Sequence, residues 1–157
     1  MYMKFPSSNK SMPLFDLFDF LEGSWRLDRK IDDLKLKIQG SMTGVSIIRP
    51  QQSDRSNKVL SYREEGRLCF GNYEEDVHRS YQFSFFEKQK AQVLFSDGSF
   101  FHELDLSSGF CEVSHTCKDD VYTGQFQVVS STIWLSQWCV HGPSKDLKLN
   151  NRYQRYN

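Results

Sequence analysis

The sequence predicts an all-β chain: a closed, antiparallel, up-and-down β-barrel of about nine or ten strands behind one short N-terminal helix. Three observations carry this. Apolar and polar residues alternate in many short runs, the pattern of half-buried strands. Turn dipeptides such as Asp97-Gly98 and Ser108-Gly109 separate neighbouring runs at hairpin distance. Aromatic residues make up 15% of 157 residues, with 13 Phe, 7 Tyr and 3 Trp, whereas helical periodicity occurs once. A barrel is the simplest closure for so many strands in up-and-down order, because closure removes the sheet edges.

Residues 1–11 read as a disordered lead, and residues 12–157 as one domain. Pro13 suits a first helical turn, and Leu14, Phe15, Phe18 and Leu21 fall at helical spacing, so Pro13 to Leu21 reads as a helix that Gly23 ends. Strands follow. Trp25, Leu27, Arg29 and Ile31 share one face of the first, and Leu34, Leu36 and Ile38 alternate in a second. Thr43 to Ile48, Val59 to Glu65, Gly66 to Phe70 and Val77 to Phe86 continue the series. Beyond them, the Asp97-Gly98 turn pairs Phe95 with Phe100 and Val93 with His102. The Ser108-Gly109 turn pairs Ser107 with Phe110 and, counting outward, His102 with His115. A turn at Lys118-Asp119 pairs His115 with Tyr122, and a short loop around Ser130 pairs Tyr122 with Trp138. Each step keeps the apolar residues in phase, which a one-residue slip would destroy. Lys30, Asp32, Asp33, Lys35 and Lys37 read as a solvated hairpin, Glu74, Glu75 and Asp76 as an acidic loop, and Lys145-Asp146 as a pair that latches the loop at Gly142-Pro143.

Composition narrows the function. Twenty basic and twenty acidic residues cancel, with no basic stripe, which speaks against nucleic acid. No apolar run approaches the roughly 20 residues of a membrane helix. The N-terminal twelve residues are polar and lack the apolar centre of a signal peptide. Cys69, Cys111, Cys117 and Cys139 form no CxxC, and a chain of this length can bury a core without disulfides, so they read as reduced thiols in a cytoplasmic protein.

A short helix followed by Gly23-Ser24-Trp25 on the first strand resembles the calycin superfamily, which includes lipocalins, fatty-acid-binding proteins and nitrobindin-like proteins. In lipocalins that Trp closes the barrel floor under an Arg from the last strand; the resemblance offers Arg152 or Arg155 for that role. A closer likeness runs through Phe20 to Trp25, Tyr62 to Gly66, Arg79-Ser80-Tyr81, Phe95 to His102, His115 to Cys117 with Asp120 and Tyr122, and Trp138 through Gly142-Pro143 to Asp146. These segments look like a family of small, uncharacterised calycin-like domains. The likeness implies the fold and marks these positions; it supplies no reaction. The disulfides and secretion signal usual in lipocalins are missing, which speaks against extracellular transport.

Phase along the strands gives an inward polar set: Arg29, Tyr62, Glu64, Arg79, Tyr81, His102, His115, Tyr122, Trp134 and Trp138. A lone buried charge costs several kcal/mol, so Glu64 is expected to neutralise one Arg and leave a second for an anionic ligand. The leading reading is intracellular binding of a small anionic aromatic or amphipathic molecule, with no metal or cofactor. An alternative is an isomerase or lyase moving protons through His102, His115 and Tyr122, since some calycin-like barrels use Tyr, Arg and Glu in this way. A third is a structural or interaction module whose barrel is filled by side chains. Metal binding by His102, His115 and Cys117, with Asp120 or Tyr122 nearby, ranks lower, because the spacing matches no familiar motif and inward Arg residues repel a cation.

Overall fold

The structure, a computed structural model, describes residues 10–51 and 58–157. Most of the expected lead, residues 1–9, lies outside the described residues. The helix is shorter than its apolar spacing predicts: α1 is Leu17–Leu21, capped by Asp16, whose side chain accepts from the Asp19 N–H. Pro13 lies before it, in a stretch tied down by extended backbone bonds. The Met12 N–H donates to the Val128 carbonyl and the Leu14 N–H to the Leu106 carbonyl. The Leu17 N–H, which a helix begun at Pro13 would send to the Pro13 carbonyl, donates instead to the Lys88 carbonyl.

Ten antiparallel strands follow among the described residues: β1 (Gly23–Asp33), β2 (Ile38–Gln51), β3 (Lys58–Phe70), β4 (Tyr73–Phe85), β5 (Lys90–Phe95), β6 (Phe100–Asp105), β7 (Phe110–Cys117), β8 (Asp120–Ser130), β9 (Ile133–His141) and β10 (Asp146–Arg155). They form one sheet in the order β6-β5-β4-β3-β2-β1-β10-β9-β8-β7. The first and last strands pair, Trp25 opposite Arg155 and Arg29 opposite Asn151, so the sheet curls into a nearly closed barrel.

The local corrections have identifiable causes. The run Leu34 to Lys37 is a turn, and only Ile38 of the expected strand lies in one, at the start of β2. Asp33 folds it into a turn, its carboxylate accepting from the Lys35 and Leu36 N–H groups, and Lys37 takes a positive φ of 56°. Glu74, Glu75 and Asp76 belong to β4 rather than to a loop, and Arg67 across the ladder pairs with Glu74 and Asp76. Tyr122 faces Val140, and Trp138 faces Gly124. The offset from the expected Tyr122–Trp138 pairing is two residues, set by the turn at 131–132 and a bulge between Val128 and Ser130. An even offset preserves the face. Lys145 latches to Asp120 across two turns rather than to Asp146, which lies beside His141.

The largest correction is at β6. Val93 does face His102, but a bulge after Val93 sets Leu94, not Phe95, opposite Phe100. Two successive residues, Phe101 and His102, are therefore both buried. The Ser108-Gly109 turn forms, with Gly109 at φ 81°, yet β6 and β7 share no ladder. His102 and His115 flank the resulting seam instead of pairing across it, and the Phe101 ring meets both imidazoles, at 4.7 and 5.2 Å between centroids.

The closed end is built around Trp25, which is fully buried. Its indole N–H donates to the Leu21 carbonyl, which ties the end of α1 to the barrel. Of the two candidate arginines, Arg155 covers the ring, 4.1 Å from its centroid, and donates to the Phe20 and Glu22 carbonyls. Arg152 lies on the other face and bonds Gln154. Farther up, Gly44 faces Gly66 across β2 and β3, where an added Cβ at Gly44 would sit 2.0 Å from the Glu65 carbonyl oxygen. Only glycine allows that approach.

Trp25→Ala should cost about 3–5 kcal/mol of stability by removing this packing, measured as a lowered urea midpoint. An unchanged midpoint would show that the closed end does not hold the barrel.

Candidate ligand-binding site

The inward residues of a curled sheet converge, and here they do not fill the space. A cavity of about 680 Å³ lies inside the barrel. That is within the range of small-molecule sites, roughly 300–1,000 Å³, and it removes the filled-barrel reading. All ten residues expected to point inward line it.

Polarity is concentrated on one wall. Arg29 on β1 donates to the Glu64 carboxylate on β3 at 2.8 Å, a deeply buried ion pair. The two side chains meet across β2, where the inward position between Met42 and Ser46 is Gly44 and leaves room. Arg29 also donates to the Asn151 side-chain carbonyl, and Asn151 in turn donates to Ser136 Oγ at 3.0 Å. Burial is the largest influence and opposes the Arg29 charge, but Glu64, Tyr153 and Tyr62 together more than offset it and the guanidinium pKa is raised. Next to this pair the Tyr62 and Tyr153 hydroxyls share a hydrogen bond of 2.9 Å. Burial pushes the Tyr153 phenol up to about 12 and Tyr62 upward as well, so both stay neutral.

Arg79 differs. It sits opposite Glu64 on the β3–β4 ladder, at the solvent-accessible end of the cavity. Its hydrogen bond is to the Tyr81 hydroxyl at 3.2 Å, and among the described residues it makes no ion pair. Of the two guanidiniums, Arg29 is paired with Glu64, whereas Arg79 has no carboxylate within ion-pair distance among the described residues.

The other walls are aromatic. Tyr81, Phe95, Phe101 and Trp138 form a continuous set of ring contacts, with Phe101 stacked on both Phe95 and Trp138. Trp134 lies flat on Tyr153, 3.6 Å between centroids. His102 is buried among Phe101, Phe126 and Trp138. Its Nδ1 lies 3.0 Å from the Glu103 carbonyl oxygen, which can only accept, so Nδ1 carries the proton and Nε2 is left as an acceptor. Burial pushes the His102 imidazole down to about 4, and His115 adds to that direction. His115 contacts Tyr122 at 6.2 Å between centroids. Among the described residues no hydrogen bond joins His102, His115 and Tyr122, and no cluster of three His, Cys, Asp or Glu residues is arranged to hold a metal ion.

Sequence phase missed Asn151, Tyr153 and Ser136. A signal for the first two existed: Leu149, Asn151, Tyr153 and Arg155 alternate on β10, and pairing of the first and last strands turns them inward. Phe101 carried no such signal, since a bulge is invisible to strict alternation.

The model of a family of unknown function, DUF6314, matches residues 21–155. The chain belongs to that family. No curated protein matches it. Among solved structures, the S-type phycobiliprotein lyase of Guillardia theta superposes with a TM-score of 0.68 at 13% identity, covering 98% of each chain. A protein of unknown function from the DUF3598 family of Nostoc punctiforme gives a TM-score of 0.59 at 12% identity. It is matched over 98% of this chain and 53% of its own length. Both likenesses support the barrel fold. This DUF6314 member has no helix, among the described residues, long and apolar enough to cross a membrane, and its four cysteines are free.

Two outcomes test the site's electrostatics. Glu64→Gln should lower stability by about 3–5 kcal/mol, because it strands a buried guanidinium. In urea denaturation, a loss below about 1 kcal/mol would mean that the pair is solvated. The depressed pKa of His102 makes the unfolded chain bind its proton first. Its contribution is complete above about pH 6.5 and is lost as pH falls through about 4, up to about 3 kcal/mol in all. His102→Gln should flatten that part of the stability–pH curve. An unchanged slope would assign it to other groups.

Proposed function

We propose that this DUF6314 barrel binds a small anionic molecule of aromatic or amphipathic character in its interior, inside the cell. One observation carries the reading: Arg79 presents a guanidinium that has no carboxylate partner among the described residues, at the open end of an aromatic-walled cavity. Deeper in, Arg29 and Glu64 cancel, so the cavity keeps a positive bias that a carboxylate, sulfonate or similar group would satisfy. Arginine suits this because its fork of N–H donors matches a planar carboxylate, and Tyr81 holds one of its donors in place. Tyr81 and Phe95 lie beside the charge and supply apolar area for the rest of the molecule, while Tyr62, Tyr122, Trp134, Trp138, His102 and His115 line the space beyond. The Guillardia protein of the same fold is a phycobiliprotein lyase. At 13% identity that likeness supports the architecture and not a shared reaction.

The test uses 1-anilinonaphthalene-8-sulfonate and its uncharged relative N-phenyl-1-naphthylamine in fluorescence titrations. The wild-type protein should bind both. Arg79→Gln should weaken the sulfonate by roughly ten-fold, the scale of one charge-assisted hydrogen bond, and leave the neutral probe within about two-fold. Equal weakening of both probes, or none, would contradict an anion anchored at Arg79.

A further inference from the structure

The same cavity holds a second polar feature that an anion does not use. His102 presents Nε2 as an acceptor with no protein hydrogen bond among the described residues, and the ring lines the cavity. Its Nδ1 proton is committed to Glu103, so the ring cannot turn its donor inward without breaking that bond. Burial keeps the second proton off. The group facing His102 Nε2 from a bound molecule therefore has to donate.

Position supplies a ruler. On β4, Arg79 lies four residues from Phe83. Phe83 is level with Val93 on β5, and Val93 with His102 on β6. At about 3.3 Å per residue and about 4.8 Å per strand, the two backbones are roughly 16 Å apart along the sheet. Both side chains line the cavity, so a molecule that reaches from one to the other, hydrogen bonds included, spans a length of that order. Between them the wall is made of rings: Tyr81, Phe95 and Phe101.

Resting on the anchoring role of Arg79, we infer that the ligand is an extended aromatic acid of two rings, with its carboxylate at Arg79 and a hydroxyl or N–H donor at the opposite end on His102 Nε2. A carboxylate alone satisfies one end and leaves the cavity-facing acceptor without a ligand partner. A far-end ether or carbonyl places two acceptors face to face. The site thus discriminates by hydrogen-bond direction at a set distance from the charge, which hydrophobic fit cannot do.

The probes are 4′-hydroxybiphenyl-4-carboxylate, biphenyl-4-carboxylate and 4′-methoxybiphenyl-4-carboxylate, titrated calorimetrically against the full chain at pH 7. The hydroxy acid should bind about five-fold tighter than the parent, the scale of one neutral hydrogen bond, and the methoxy acid no tighter than the parent. In His102→Phe the ratio of hydroxy to parent affinity should fall to about one. If that variant does not fold, the wild-type ranking of the three acids still decides. Equal binding of all three, with Arg79→Gln weakening each, would overturn the donor inference and leave the anion site standing. Binding of none would overturn both.

Discussion

An ion pair inside a barrel constrains everything around it. Arg29 and Glu64 are withdrawn from water together, and the cost of burying each is offset only because they meet at 2.8 Å. Arg29 is further held by Asn151, and Asn151 by Ser136. The network thus ties β1, β3, β9 and β10 through side chains, while Gly44 on β2 keeps the path between the charges open. Once that pair is closed, its charges cancel. The character of the cavity then depends on Arg79, which the ladder places opposite Glu64 but which bonds Tyr81 instead.

Two irregularities shape the rest of the interior. The bulge after Val93 turns both Phe101 and His102 inward, and β6 consequently leaves β7 unpaired. The seam is bridged at one end by the Met12 and Leu14 backbone bonds to Val128 and Leu106, and elsewhere it is packed by the Phe101 ring between the two histidines. Closure therefore comes from the β1–β10 pairing and from side-chain packing rather than from a complete ring of hydrogen bonds. At the base, Trp25 and Arg155 hold α1 against the strands.

Alternation and turn chemistry made the inward face legible, because both report parity. Arg29, Glu64 and Arg79 were placed by phase alone, and the Gly-x-Trp resemblance placed Trp25 under an arginine. Parity does not report offset. Tyr122 and Trp138 were set opposite each other when Val140 and Gly124 are the true partners, since a bulge near Ser130 and the turn length act together. The expected His102–His115 pairing failed for a different reason. A hairpin turn brings two strands near each other but does not oblige them to form a ladder, and the bulge one strand away had already turned β6. The residues Leu34 to Ile38 alternate, yet Asp33 caps Leu34 to Lys37 into a turn and leaves only Ile38 to β2. In each case a local hydrogen bond or an inserted residue overrode the pattern.

The anchoring of an anion at Arg79 is tested most directly by side-chain NMR of the arginine Nε–Hε groups during titration with 1-anilinonaphthalene-8-sulfonate. Binding in the cavity mouth predicts that the Arg79 resonance shifts in a saturable way, while Arg29, already held by Glu64, stays in place. A saturating probe that leaves Arg79 unmoved, or that displaces Arg29 instead, would contradict it.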